Sequence, residues 1–127
     1  MTHPSNSDNL LVSIIDDDFE MRSSLVDLVR SAGYGAAAFS SAEAFLRAPE
    51  LWISQCIVTD IQMPGLDGFE LKQRLDEGCM TAPVIMMTGQ VDDAAADKAL
   101  ASGAFCFLRK PFKPEELLRC VMRSLEH

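Results

Sequence analysis

The chain has only two histidines, His3 and His127, and its four cysteines, Cys56, Cys79, Cys106 and Cys120, include no C-x-x-C pair. That spacing offers no zinc-type ligand set, and it favours reduced thiols in a cytoplasmic protein over disulfides. Long apolar runs are also missing, since none approaches the roughly 20 residues of a membrane span. Positive charge is scarce: 11 Lys and Arg stand against 19 Asp and Glu, a formal net charge of −8. Such a balance disfavours direct binding to DNA or to an anionic membrane surface, so any nucleic-acid function needs another domain. The first nine residues, MTHPSNSDN, lack the basic start and apolar stretch of a secretory signal. They read as a disordered lead-in. No internal linker, low-complexity run or repeat breaks up the remainder.

What is present fits one soluble domain, because 127 residues bury one sizeable core but not two. The terminal Leu125-Glu126-His127 reads as the start of a purification-tag scar at 125–127, leaving 10–125 as the domain. Residues 10–15 are apolar but for Ser13 and are followed by Asp16-Asp17-Asp18, which suits a buried strand opening to solvent at its carboxyl end. Met21, Leu25, Leu28 and Val29 then recur at helical spacing before Gly33. A strand over 34–39 precedes a short helix over 42–48, capped by Ser40 or Ser41 and ended by Pro49. Residues 56–59 form a third strand ending at Asp60, with a Pro64-Gly65 turn and a helix over 69–75 beyond it.

Residues 83–87 form a fourth strand running into Thr88-Gly89, followed by an alanine-rich helix capped by Asp92 or Asp93 and stopping at Gly103. Residues 104–109 form the fifth strand, then Lys110-Pro111 and a helix from Pro114 or Glu115 to about Leu125. Five strands alternating with five helices predict a doubly wound α/β fold, with a parallel sheet covered on both faces. Trp52 falls in the loop before strand three and is expected to pack. Met63, Met86 and Met87 are expected to fill the core or a loop.

The informative polar residues all follow strands: Asp16, Asp17 and Asp18 after the first, Asp60 after the third, Thr88 after the fourth and Lys110 after the fifth. Carboxyl ends of parallel strands share one edge, and with strand order 2-1-3-4-5 the ligand crevice lies between strands one and three. Carboxylates about 4–6 Å apart repel by several kcal/mol at an effective dielectric near 20, which favours a bound cation. Magnesium suits the site, being hard, octahedral and content with one or two carboxylates plus a phosphoryl oxygen. Phosphoryl transfer to a carboxylate uses these parts. Asp60 is the nucleophile; Asp17, with Asp16 close by, holds the metal; Lys110 and the Thr88 hydroxyl meet the phosphoryl oxygens. Gln62 and Gln90 stand where they would admit or exclude the water that attacks an acyl phosphate. Asp18 is expected to serve only as a helix cap.

Ile14-Ile-Asp-Asp-Asp18, Thr59-Asp-Ile-Gln-Met-Pro-Gly65, Pro83-Val-Ile-Met-Met-Thr-Gly89 and Lys110-Pro111-Phe112 resemble the signatures of response regulator receiver domains of the CheY-like superfamily, in order and spacing. Thr88-Gly89 and the Phe107-to-Phe112 stretch resemble FixJ-type receivers of the FixJ/NarL group. The resemblance covers about residues 10–125 and implies a flavodoxin/CheY-like fold. It implies that a sensor histidine kinase phosphorylates Asp60, and that Asp17, Asp60 and the backbone carbonyl of Gln62 bind Mg2+, with Asp16 acting through water and Mn2+ as a substitute ion. It implies a cis Lys110-Pro111 bond, where the sequence alone favours trans, since only about 5–6% of X–Pro bonds in folded proteins are cis. It also implies a switch: Thr88 moves toward the phosphoryl group and Phe107 turns inward, altering the face made by the fourth helix, strand five and the fifth helix. Dimerisation through that face, or release of an absent DNA-binding output domain, would follow. Only self-phosphorylation and autodephosphorylation of Asp60 are expected as chemistry.

Each motif alone has a plainer reading as turn, cap or core, and Phe107 reads equally as core filling; the joint placement at one sheet edge carries the inference. Two other classes remain. A receiver-like binding module that signals without phosphate would not need the set Asp17, Asp60, Thr88 and Lys110. A magnesium-dependent phosphohydrolase would need an acid/base beside the nucleophile, and Gln62 is a poor one.

Overall fold

The computed structural model describes residues 10–89 and 93–126. The five strands are β1 (Leu11–Ile15), β2 (Gly35–Phe39), β3 (Cys56–Asp60), β4 (Val84–Thr88) and β5 (Cys106–Arg109). They form one parallel sheet in the order β2-β1-β3-β4-β5, with Ile15 beside Thr59 and Thr88 beside Arg109 in the register. The helices are α1 (Phe19–Ser31), α2 (Ala42–Leu46), α3 (Glu50–Ile53), α4 (Gly68–Glu77), α5 (Asp93–Ala101) and α6 (Pro114–Leu125). The described residues thus contain six helices rather than five. Helix α2 stops at Leu46, short of the expected 48, and Pro49 sits at the N-cap of the additional helix α3, because the position that stops one helix also suits the start of the next. With Leu51 buried, the helical period turns Trp52 and Ile53 outward, to 71% and 64% exposure. Trp52 therefore does not pack as expected.

Period-two alternation sorts the strand residues onto two faces. Ile15, Ile57, Val84 and Met86 join Phe45, Leu71, Leu75 and Ala99 beneath α2 to α5. Val12, Ile14, Val58, Ile85 and Met87 join Leu25, Val29, Leu117 and Val121 beneath α1 and α6. Each fully buried aliphatic or phenyl side chain contributes about 1.5–3 kcal/mol, so the two layers supply most of the driving force. Met63 is core as well, at 8% exposure in the first layer. Ser13, the one polar residue inside β1, is buried and shares a 2.6 Å hydrogen bond with Ser54 at the end of α3. Cys56 is buried where the Ser124 hydroxyl donates to its Sγ at 3.2 Å, and burial pushes its thiol up to about 11. All four cysteines are free.

Helix starts follow the capping logic. Asp18 caps α1, its Oδ1 accepting the N–H of Glu20 at 3.0 Å and of Met21 at 3.4 Å, as expected. Of the two possible caps for α2, Ser41 is the one used. Asp67 and Glu70 form a reciprocal capping box on α4. Pro114 occupies the first turn of α6. Asp93 lies inside α5, while Asp92, like the lead-in at 1–9, falls outside the described residues. With α3 inserted, the face anticipated on the fourth and fifth helices is the one formed by α5, β5 and α6.

Candidate functional site

The sheet delivers the polar set to one edge. The Asp16 N–H still donates to the Phe39 carbonyl at 3.1 Å, so Asp16 is the last residue held by the ladder, and Asp17 and Asp18 turn away into α1. Asp16 is fully buried and both its carboxylate oxygens are engaged. Oδ1 accepts the Asp18 N–H at 2.9 Å, and Oδ2 pairs with Lys110 Nζ at 3.0 Å. Arg22, one turn into α1, donates to the Asp16 carbonyl at 2.7 Å and secures the strand-to-helix junction. Asp17 is exposed.

Asp60 closes β3 with its side chain 11% exposed, its Oδ2 lying 3.3 Å from Lys110 Nζ. Ile61 donates its N–H to the Met87 carbonyl at 2.8 Å, carrying the ladder one residue past the acid. The chain then bulges and returns at Gly68, whose N–H bonds the Ile61 carbonyl at 2.8 Å. A Cβ at position 68 would lie 2.8 Å from the Asp60 carbonyl oxygen and 2.9 Å from the Ile61 Cα, so this return needs glycine for space. The Lys110 N–H donates to the Thr88 carbonyl at 2.8 Å, and the Lys110–Pro111 bond is cis. The lysine thus enters the site from the far side of β4.

One ligand oxygen each from Asp16, Asp17 and Asp60 lies within 4.8 Å of the others. Three carboxylates facing one ammonium is an acidic, oxygen-only donor set of the kind a hard divalent cation takes, so the residues fit magnesium. The electrostatics agree. Burial raises the Asp60 pKa above the usual carboxylate range and the Asp16 charge adds to this, against the lowering influence of Lys110 and of the nearby Gln62 N–H. Burial pulls the Lys110 pKa down, yet hydrogen bonds and charge from Asp16 and Asp60 leave it raised, so the ammonium persists.

Thr88 is buried at the end of β4 and borders a cavity of about 190 Å3 shared with Ile61, Gln62, Phe69 and Lys98. Phe107 is half-buried and lies opposite Met86 in the β4–β5 register. It therefore shares a sheet face with Thr88, two residues further along β4. Gln90 falls outside the described residues. An apolar groove of about 460 Å3 opens between α1 and the Pro111-to-Pro114 segment, lined by Met21, Leu25, Leu28 and Phe112.

The structure thus brings together Asp16, Asp17, Asp60 and Lys110, with Gln62 and Thr88 at the rim. Sequence reasoning did not single out Arg22, Gly68 or Glu43. Glu43 stands on α2, where its Oε2 accepts the Leu66 N–H at 3.1 Å, on the far side of the bulge after Asp60. The D-x-x-E spacing of Asp67 and Glu70 could have flagged where the bulge ends. Nothing in the sequence ties Glu43 to Leu66.

Comparison with known proteins gives the same answer from a different direction. The chain matches the family described as the response regulator receiver domain over residues 12–122. It is 43% identical over 114 residues to the transcriptional regulatory protein FixJ of Bradyrhizobium diazoefficiens, covering 90% of this chain and 56% of that protein. It is 35% identical to the response regulator protein TodT of Pseudomonas putida, covering 91% of this chain and 51% of that one. The chain therefore spans about half the length of the curated relatives it matches. Among solved structures, FixJ-N superposes with a TM-score of 0.84 at 34% identity, covering 93% of this chain and 94% of that one. The BeF3-activated DrrB receiver domain has the same TM-score at 28% identity, covering 93% and 98%. With the strand order, the acidic crevice and the family match in agreement, the chain belongs to the response regulator receiver domains of two-component systems, of the FixJ type.

Proposed function

We propose that Asp60 is the phosphoacceptor, taking a phosphoryl group from the phosphohistidine of a sensor histidine kinase. The observation that carries this reading is the convergence of Asp16, Asp17 and Asp60 within 4.8 Å of one another, with the Lys110 ammonium paired to Asp16 and Asp60. An Asp60 carboxylate oxygen attacks phosphorus, the phosphorus–nitrogen bond breaks, and the bonding pair leaves with the imidazole. Asp17, Asp60 and the Gln62 carbonyl would hold Mg2+ or Mn2+, with Asp16 acting through water; the ion, when bound, neutralises charge on the transferred oxygens. Lys110 meets one phosphoryl oxygen as a point charge and Thr88 another through its hydroxyl. Gln62 and Gln90 tune the water that later hydrolyses the acyl phosphate.

The signal leaves through Thr88 and Phe107, whose shared sheet face lies beneath α5, at the edge strand β5 that α6 flanks from the other face. We read the face made by α5, β5 and α6 as the surface that dimerises or releases an output domain on phosphorylation, in a cytoplasmic regulator of transcription. The shared chain length with FixJ and TodT leaves room for such a domain in a longer protein.

The test is labelling with a small phosphodonor and Mg2+, read by intact mass. Wild type gains one phosphoryl group and Asp60→Asn gains none. A wild-type chain that stays unlabelled, or an Asn variant that labels equally, overturns the assignment. Size exclusion with and without a beryllofluoride mimic checks the output: a shift to dimer supports the face, and an unchanged profile counts against it.

A further inference from the structure

The segment after Asp60 is held at two points by groups of different origin. At its start the Gln62 backbone N–H faces the Asp60 carboxylate closely enough to favour its charged form. Near its end the Leu66 N–H bonds Glu43 Oε2 at 3.1 Å, across 23 residues of sequence. Met63 between them is buried in the same core layer as Ala42 and Phe45, so the bulge lies on α2. Gly65 makes the approach possible: its φ is +77°, and a Cβ there would come within 2.2 Å of Glu43 Oε2. The Leu66 N–H leads the influences that lower the Glu43 pKa, and Arg47 and Arg74 act in the same direction, so the carboxylate is charged at neutral pH. Glu43 Oε1 is buried with no hydrogen-bond partner among the described residues. Its own backbone N–H is second among these influences, so Leu66 is the donor through which the carboxylate reaches another element.

We infer that Glu43 is a positioning residue for the phosphoacceptor site, latching the bulge through Leu66 and so fixing Gln62 against Asp60. This inference rests on the reading of Asp60 as phosphoacceptor and of the Gln62 carbonyl as a cation ligand. Outer groups that orient ligands commonly change metal affinity or activity by 10–100-fold when removed. Releasing Leu66 leaves the bulge anchored by Met63 and by the Gly68 bond alone, and the lower end of that range applies.

The experiment measures Mg2+ affinity by calorimetry, and labelling of Asp60 at saturating Mg2+, at a temperature where circular dichroism shows each variant folded. Glu43→Gln keeps the length of the side chain and a carbonyl oxygen for the Leu66 N–H but removes the charge. Glu43→Asp keeps the charge but draws the carboxylate back by one methylene. The latch predicts that Gln stays within about twofold of wild type, while Asp and Glu43→Ala both weaken Mg2+ binding by about tenfold. The reverse order, with Asp near wild type and Gln impaired, overturns it, as does an Ala variant that binds and labels like wild type. Gly65→Ala, which evicts the carboxylate, should weaken binding in its own right, and adding Glu43→Ala to it should change Mg2+ affinity no further; additive losses would count against a shared contact. A wild-type chain that neither binds Mg2+ nor labels refutes the phosphoacceptor reading instead, so the two failures are distinct.

Discussion

Replacing the proposed nucleophile should stabilise the protein. Asp60 lies 3.3 Å from the Lys110 ammonium and within 4.8 Å of the buried Asp16 carboxylate. At an effective dielectric near 20 the attraction is worth about 5 kcal/mol and the repulsion about 3.5 kcal/mol or more. Asp17 is exposed and adds at most about 1 kcal/mol through solvent. The Coulomb terms nearly cancel, so the burial of the charge decides the sign, in agreement with a pKa raised first by burial. Asn removes the buried charge and offers an amide N–H to Asp16 where two anions met, while its oxygen still accepts from Lys110. The expected gain for Asp60→Asn is about 1–2 kcal/mol at pH 7 without divalent cation. For a domain of this size that raises Tm by about 3–10 °C. The pH dependence follows from the same shift. Because the folded carboxyl binds its proton more tightly than the unfolded one, wild-type stability falls as pH rises from the unfolded pKa through the raised folded value, then levels off. The gap between variant and wild type is therefore full at neutral pH and closes in acid. Thermal unfolding in EDTA, repeated with saturating Mg2+, is the assay, and the ion should raise wild type more than the variant. An Asn variant that melts at or below wild type in EDTA at pH 7 would refute the reasoning.

Lys110→Met leaves fully buried Asp16 without the ammonium 3.0 Å away; urea unfolding should show a loss of about 3–5 kcal/mol, and labelling of Asp60 should fail. Gly68→Ala drives a Cβ into two backbone atoms that cannot swing aside, so it should cost about 1–3 kcal/mol and slow labelling, with the Asp60 amide resonance shifted in NMR spectra. Cys79 is an exposed non-glycine residue at φ 61°, just after α4. Cys79→Gly should raise the urea midpoint by the equivalent of about 1 kcal/mol without changing labelling, and a lowered midpoint would show that the left-handed backbone there carries no strain.

The strands were legible because a parallel sheet covered on both faces writes its strands as short unbroken apolar runs, as at Cys56-Ile57-Val58 and Val84-Ile85-Met86-Met87. Their order, 2-1-3-4-5, belongs to the fold that the motifs resemble, and the acids after the first and third strands agree with the crevice it creates. Helix α3 was not legible. Pro49 restricts its predecessor and favours its own helical φ, so in sequence it marks a boundary without saying whether a helix ends or begins there. The outward turn of Trp52 depends on that choice, because burying Leu51 in a single helical turn fixes where its neighbours point.

The site was legible for a related reason: strand ends are gathered by topology, so residues far apart in sequence could be placed together before any distance was known. Glu43 escaped because its role depends on a contact between a helix face and a loop, and in sequence it is only a first-turn acid on α2. For Lys110 neither of its carboxylate partners was legible in the sequence. Read from sequence it waits for phosphoryl oxygens, whereas in the structure it already binds Asp16 and Asp60. That occupancy limits the order of events. Three carboxylates against one ammonium leave two negative charges, the charge that one divalent cation cancels, and a donor carrying a phosphoryl dianion would otherwise approach an anionic crevice. Lys110 can turn from Asp60 to an incoming phosphoryl oxygen without abandoning Asp16, since the shorter of its two contacts is to the residue that does not react. On the proposed reading, Asp16 serves the reaction by anchoring the lysine as well as by its own charge, and its complete burial keeps that anchor out of competition with water.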